Sequence, residues 1–240
     1  MEQPRFGRIE TYLSVMADAW FLALTPHLSS LLRQRRRPKE SDRWQVNADA
    51  AATCLLSVLL LESLARRAAY MIDEAVPITS RIIRRAPKPL SPERSAVDII
   101  DRLIGECRTS NVTAQEVEEV FVVRDCLVHD HLWEVTLAEL EHSEGVVVTR
   151  AAGAAPFGDK KYRSAVDGQT TRVLGVAVIP TEITREDAGK VLNVVARCID
   201  LLKHTPTASV DDGAFWLGVS GRRLTLAEVA ERLLRPASPT

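Results

Sequence analysis

Three polar residues on one predicted helix have the types and the spacing for acid–base chemistry. Arg124, Asp125 and His129 lie in the stretch VVRDCLVHDHLW. Asp125 and His129 are four residues apart, so they share a helical face, where the carboxylate can fix the imidazole tautomer and stabilise its charged form. Arg124 lies five residues before His129, about 140° round the helix axis. The two side chains therefore do not stack, and only the length of the arginine side chain could bring the guanidinium of Arg124 near His129.

These residue types suit phosphoryl chemistry. Arginine presents a planar fork that binds phosphate through two hydrogen bonds and offsets developing charge. Histidine titrates near neutral pH and can act as a general acid or base. If the nucleophile is the 2′-hydroxyl of an RNA substrate, the reaction needs no metal, and the sequence predicts no cofactor.

The pattern Arg124-Asp125-x-x-x-His129, late in a helical bundle and among aliphatic residues, resembles the Arg-x4–6-His motif of the HEPN superfamily. The resemblance covers roughly residues 8–143 or, in a wider interpretation, extends to the helix ending at His204. It implies a dimer in which two copies of the motif line one cleft and act as a metal-independent endoribonuclease, in toxin–antitoxin, abortive-infection or RNA-processing systems. By position, Arg124 would hold the phosphate, His129 would be the acid or base, and Asp125 would support them. Some toxins of this family carry a modifiable tyrosine where this chain has His131, so that regulation is not expected here.

Further residues are candidates for support or for RNA contact. His131 is seven residues from Arg124 and shares its face, and Trp133 follows His129 by four residues and could wall the cleft. Clustered arginines release counterions from phosphate. The arginines that could contact RNA in this way are Arg35, Arg36, Arg37, Arg84 and Arg85. The alternative interpretation of these arginines is a solvated surface that contacts no RNA. The alternative for the Arg124/Asp125/His129 motif is a solvated helix face with an Asp–His pair.

Hydrophobic periodicity predicts a mainly α-helical protein. Together with the resemblance, it indicates a HEPN-like up-and-down helical bundle with a two-stranded β-ribbon before the penultimate helix. The helices are expected at about 8–33, 42–75, 91–107, 113–143, 184–204 and 225–234. Pro26 is expected to kink or break the first helix, whereas the second, apolar nearly all round, should be central. The ribbon is expected to pair Gly145–Arg150 with Thr171–Pro180 around a long tip.

Composition sets the broad limits. The chain has 240 residues and a formal net charge of −1, which gives no global reason to expect a polyanion partner. We expect a bundle with its ribbon over residues 1–204 and a linker with a short helix over 205–240. The four cysteines show no metal-binding spacing and are expected to be reduced, which favours the cytoplasm. The stretches without charge, such as Ala50–Leu61, are shorter than the roughly 20 residues of a membrane span, so no membrane association is expected.

Two functions from different classes follow. The first is a homodimeric endoribonuclease of HEPN type, with RNA as substrate and an antitoxin or another protein as a possible partner. The second is a non-catalytic helical module of the same fold that binds RNA or a partner protein.

Overall fold

The computed structural model describes residues 10–34, 43–73, 96–106, 111–128, 134–139, 146–152, 160–203 and 215–235. This part of the chain is mainly α-helical, as predicted. Its helices are α1 (Glu10–Arg33), α2 (Arg43–Asp73), α3 (Ala96–Glu106), α4 (Ala114–Val128), α5 (Lys160–Ala165), α6 (Arg185–Lys203) and α7 (Leu226–Leu234). Antiparallel ribbons pair β1 (Glu134–Glu139) with β2 (Val146–Ala152), β3 (Val166–Asp167) with β4 (Thr170–Thr171), and β5 (Trp216–Val219) with β6 (Arg222–Thr225).

Helix α2 lies at the centre of the described fold, as its apolar residues predict. It packs against α1, α3, α4 and α6, and Cys54, Val58 and Leu64 on it are almost fully buried. The segment Gln45–Arg66 is long and apolar enough, by length and composition alone, to cross a membrane, and 56% of its most apolar window is buried inside the molecule. A core helix meets the same criterion.

Helix α1 is continuous through Pro26, so the helix does not break there. A proline inside a helix removes the hydrogen bond to the carbonyl of the residue four positions earlier, which here is Leu22. Leu22 is 70% exposed, so water can satisfy that carbonyl. Leu24 and Leu28, on the opposite side, are buried and keep the helix packed against α2.

The fourth helix is described as far as Val128, and it does not reach Ser143, where the sequence pattern predicted its end. Residues 134–139 form β1 instead, and β1 pairs with β2 from Glu134 opposite Ala152 to Glu139 opposite Val146. The predicted strand near 145–150 is therefore present, but its predicted partner is wrong. Pairing across residues 140–145 closes a much shorter loop than pairing across 151–170, and it costs less chain entropy.

The segment predicted as the second strand of the ribbon, Thr171–Pro180, is turn and irregular backbone, apart from the end of β4 at Thr171 and an isolated bridge from Ala177 to Thr170. Val176 and Val178 are buried, which accounts for its apolar pattern. The predicted tip of the ribbon, Ala151–Gln169, also contains structure, because α5 and β3 lie within it and β4 follows it directly.

The C-terminal elements belong to the same core as the bundle. Helix α7 packs on α6, and Val229 and Leu233 join the hydrophobic cluster that includes α1 and α2. The core thus crosses the predicted boundary between residues 204 and 205. The β5–β6 hairpin lies where only a linker was predicted, and its Leu217 and Leu224 are buried.

Arg185, at the start of α6, holds the ends of two other helices. Its Nε donates to the carbonyl of Leu31 at 3.3 Å, Nη1 to that of Leu233 at 2.8 Å, and Nη2 to that of Arg232 at 2.6 Å. The last carbonyls of a helix have no partner within the helix. One guanidinium therefore satisfies carbonyls at the ends of α1 and α7.

Candidate functional site

Arg124 lies one turn before the end of α4, and its side chain is 22% exposed. Nη1 lies 3.1 Å from Oδ1 of Asp125, and Nη2 lies 3.8 Å from Oε2 of Glu62 on α2. The guanidinium carbon lies 5.5 Å from the ring centroid of Phe121, in a cation–π arrangement. Nε is buried and has no hydrogen-bond partner among the described residues. The guanidinium is thus held in place with one N–H unused.

The structure brings Arg124 and Asp125 together, although the spacing predicted contact between Asp125 and His129. His129 lies outside the described residues, so that contact stays a prediction. The remaining candidates, which also lie outside the described residues, are His131, Trp133, Arg35, Arg36, Arg37, Arg84 and Arg85.

Arg124 borders a cavity of about 910 Å³ between α2, α3, α4 and α5. The charged residues among its described lining are Glu62, Asp98, Asp101, Glu118, Arg66 and Arg124. Four carboxylates therefore face two guanidinium groups. Asp98 and Asp101 are three residues apart on α3, whereas no sequence pattern indicates that α2 and α4 bring Glu62 and Glu118 to the same place.

The carboxylates of this cavity affect one another. Burial raises the pKa of Asp101, and the nearby charges of Asp98 and Glu118 raise it further. Oδ1 of Asp101 is buried without a hydrogen-bond partner among the described residues. The cavity wall beside Arg124 thus carries excess negative charge, which opposes the approach of a phosphate from that side.

Helix α4, which carries Arg124, is anchored near its N-terminus. Thr113 and Glu116 form a capping box, as their spacing predicts: Thr113 N donates to Glu116 Oε2 at 2.9 Å, and Glu116 N donates to Thr113 Oγ1 at 3.2 Å. Glu119 is fully buried and accepts the backbone N–H groups of Val173 and Leu174, both at 2.8 Å. These contacts fix the helix against its neighbours, and so fix the position of Arg124.

A second polar cluster, which sequence patterns did not reveal, joins α1 to α2. Nδ1 of His27 lies 2.9 Å from Oδ1 of Asp49, and Ser30 Oγ donates to Oδ2 of Asp49 at 2.5 Å. Burial acts to raise the pKa of Asp49, but hydrogen bonds from Ser30, His27 and Gln45 outweigh it and hold the pKa below its usual value. No short motif could reveal a pair whose members lie 22 residues apart.

The described residues include no group of three or more His, Cys, Asp or Glu side chains arranged to hold a metal ion. Comparison of the chain with known protein families, curated proteins and solved structures finds no match. Function must therefore be inferred from the residues themselves.

Proposed function

We propose that this protein is a metal-independent endoribonuclease of HEPN type that acts as a homodimer. The observation that carries the proposal is the placement of Arg124. Its guanidinium is mostly buried, is held by Asp125, and retains an unused Nε. Five residues further along the chain lies His129, the one imidazole that the motif supplies. The central α2 and the mainly helical fold suit the bundle that the resemblance implies.

The proposed reaction uses the RNA as its own nucleophile. The 2′-oxygen attacks the adjacent phosphorus, and the bond between phosphorus and the 5′-oxygen breaks. One His129 accepts the proton of the 2′-hydroxyl, and the second subunit's copy of this residue donates a proton to the leaving 5′-oxygen. Arg124 stabilises the charge that develops on the phosphate oxygens. The products are a 2′,3′-cyclic phosphate and a 5′-hydroxyl.

The dimer is part of the proposal for an electrostatic reason. Four carboxylates line the cavity beside Arg124 within one chain, and they would repel a phosphate. Two motif copies facing one groove would place two guanidinium groups and two imidazoles around the same phosphodiester. We therefore propose that RNA approaches Arg124 from the side of the dimer partner.

Incubation of RNA with purified protein in EDTA tests the proposal. Wild type should cleave RNA, and Arg124→Ala or His129→Ala should reduce the rate by two orders of magnitude or more. Arg172→Ala is a matched control, because Arg172 is 45% exposed and lies outside the motif. If wild type and both motif variants degrade RNA equally, or if none does, the protein is not a nuclease of this kind.

We further propose a cytoplasmic role in a toxin–antitoxin or phage-defence system, with an antitoxin or another protein as partner. Expression of an RNA-cleaving toxin slows growth. Growth should therefore be restored by Arg124→Ala and by His129→Ala, but not by Arg172→Ala. Equal toxicity of all three variants would contradict this role.

The acidic cavity favours a second candidate function, a non-catalytic module that binds a basic segment of a partner protein. In this case the carboxylates, rather than Arg124, would carry the binding. Asp98→Asn and Glu118→Gln should then weaken binding of a Lys/Arg-rich peptide in a salt-dependent way, while RNA stays intact with wild type. Undiminished peptide binding by both variants would rule out this alternative.

A further inference from the structure

The β5–β6 hairpin presents an aromatic ring to solvent from an ordered strand. Phe215 packs edge-on against Phe21, with ring centroids 5.3 Å apart, and Leu217 is buried. Side chains alternate along a strand, so Trp216, between these two, lies on the outer face, where it is 42% exposed. Because both neighbours are anchored in the core, the indole ring is held outward by the strand itself.

A cation and an open space lie beside this ring. Gly218 and Arg223 are opposite each other in the hairpin and share the face of Trp216. The guanidinium carbon of Arg223 lies 5.7 Å from the Trp216 ring centroid, within cation–π range. A Cβ added at Gly218 would meet no atom within 4 Å. The ring is thus flanked by positive charge and by room for a ligand.

Trp216 also borders a cavity of about 390 Å³, near the lower end of the range for small-ligand sites. Arg197 and Lys203 of α6 contribute to its walls, and Asp200 is the one carboxylate among its described lining residues. Nη2 of Arg197 donates to Glu116, but its Nε is buried and has no partner among the described residues. With Arg223 and Glu116 included, the three cations beside Trp216 outnumber the two carboxylates, unlike the charges of the cavity beside Arg124.

A flat aromatic surface among cations suits a ligand with an aromatic ring and a negative charge, and a nucleotide has both. We infer that the outer face of the β5–β6 hairpin binds a nucleotide, with its base stacked on Trp216 and its phosphate attracted by Arg223 and Lys203. The same chemistry is found in a free mononucleotide and in a nucleotide of single-stranded RNA. The choice of RNA rests on the proposed function, for which this face would hold the substrate strand away from the cleavage site.

Binding is tested on His129→Ala protein, so that RNA stays intact. The probes are a short fluorescent oligoribonucleotide, followed by anisotropy, and adenosine and uridine monophosphates, followed by calorimetry. Trp216→Ala should weaken oligonucleotide binding by roughly 5- to 150-fold, whereas Trp216→Phe should retain most of it. Gly218→Val, which fills the open space beside the ring, should also weaken binding. Leu22→Ala removes another exposed apolar side chain and should have no effect.

The two sources of nucleotide separate in this experiment. If the protein binds the oligonucleotide but binds the monophosphates weakly or not at all, the ligand is single-stranded RNA. If the affinity per nucleotide is equal for the oligonucleotide and the monophosphates, the choice of RNA is overturned. If Trp216→Ala does not fold, Gly218→Val and Trp216→Phe provide the comparison. Unchanged affinity of every hairpin variant for both probes overturns the site.

Failure of this inference is distinguishable from failure of the nuclease proposal. If wild type leaves RNA intact but binds it through Trp216, only the nuclease proposal fails. If wild type cleaves RNA and Trp216→Ala leaves both affinity and KM unchanged, only the hairpin site fails.

Discussion

Glu116 of α4 and Arg197 of α6 form a two-point ion pair in which Nη2 lies 2.6 Å from Oε1 and Nη1 lies 3.4 Å from Oε2. The same carboxylate accepts the backbone N–H of Thr113. Burial acts to raise the pKa of Glu116, but Arg197 and Thr113 outweigh it and hold the pKa below its usual value. One side chain therefore both begins α4 and ties it to α6.

Loss of this carboxylate should destabilise the protein. Glu116→Ala removes a helix cap and leaves a mostly buried guanidinium without its partner, so we expect a loss of about 2–3 kcal/mol in the free energy of unfolding. Urea denaturation measures it. Glu186→Ala is the control, because Glu186 is 66% exposed and pairs with Lys190 at the surface; it should cost at most about 0.5 kcal/mol. Equal losses would mean that the Glu116–Arg197 pair contributes little.

The lowered pKa of Glu116 also predicts how stability depends on pH. A carboxyl group whose pKa is lower in the folded state stabilises the protein above its unfolded pKa, about 4.3 for glutamate, and loses this contribution as pH falls through the folded value. Wild type should therefore lose stability below about pH 4. Glu116→Gln should show a shallower loss in this range. Parallel acid curves for the two proteins would contradict the prediction.

The starts of the helices were predictable because they depend on short-range contacts. Thr113 with Glu116, and Thr184 with Asp187, are three residues apart and form the hydrogen bonds that this spacing allows at a helix start. The central position of α2 followed from apolar residues on all its faces. In each case the sequence pattern and the physical interaction lie within the same helix.

The contacts that shape the site were not predictable because they join distant segments. β2 pairs with β1 rather than with Thr171–Pro180, and a strand partner is not encoded in the strand's own residues. The acidic cavity likewise requires α2, α3 and α4 to meet. His27 and Asp49 lie on different helices, so their contact appears only once α1 packs on α2.

Asp101 should show the opposite pH effect from Glu116. Its pKa is raised by burial and by Asp98 and Glu118. Above the pKa of Asp101 in the folded state, the charged carboxylate therefore lowers the stability of the protein. This loss disappears below the pKa of the group in the unfolded state, about 3.9. Asp101→Asn should therefore stabilise the protein by about 0.5–1 kcal/mol at pH 7, with the gain vanishing near pH 3.5. Urea denaturation at both pH values measures it. A loss of stability at pH 7 would show that the carboxylate has a favourable partner.

Glu119 is expected to hold the turn that follows β4. Its two oxygens accept the N–H groups of Val173 and Leu174 in a fully buried position. Glutamine has one acceptor oxygen, and its NH₂ group would face a second donor, so Glu119→Gln should cost about 2–3 kcal/mol. Hydrogen exchange should accelerate at these two amides. Glu118→Gln, one residue away on a partly exposed side chain, should leave both amides protected; exchange that is unchanged in Glu119→Gln would contradict the assignment.

Glu62 separates the two proposed functions most directly. Its Oε1 accepts from Arg66 at 2.6 Å, and its Oε2 lies 3.8 Å from Arg124, so it competes with any phosphate for that guanidinium. If Arg124 binds RNA, Glu62→Gln should increase RNA affinity or cleavage by roughly 2- to 5-fold at low salt, which corresponds to the loss of one partly exposed ion pair. If the cavity instead binds a basic partner, the same change should weaken that binding.

Glu231→Gln is the control, because it makes the same change in net charge at a surface position on α7. An equal effect of Glu231→Gln would assign the result to net charge, whereas an effect of Glu62→Gln alone would assign it to the freed guanidinium of Arg124.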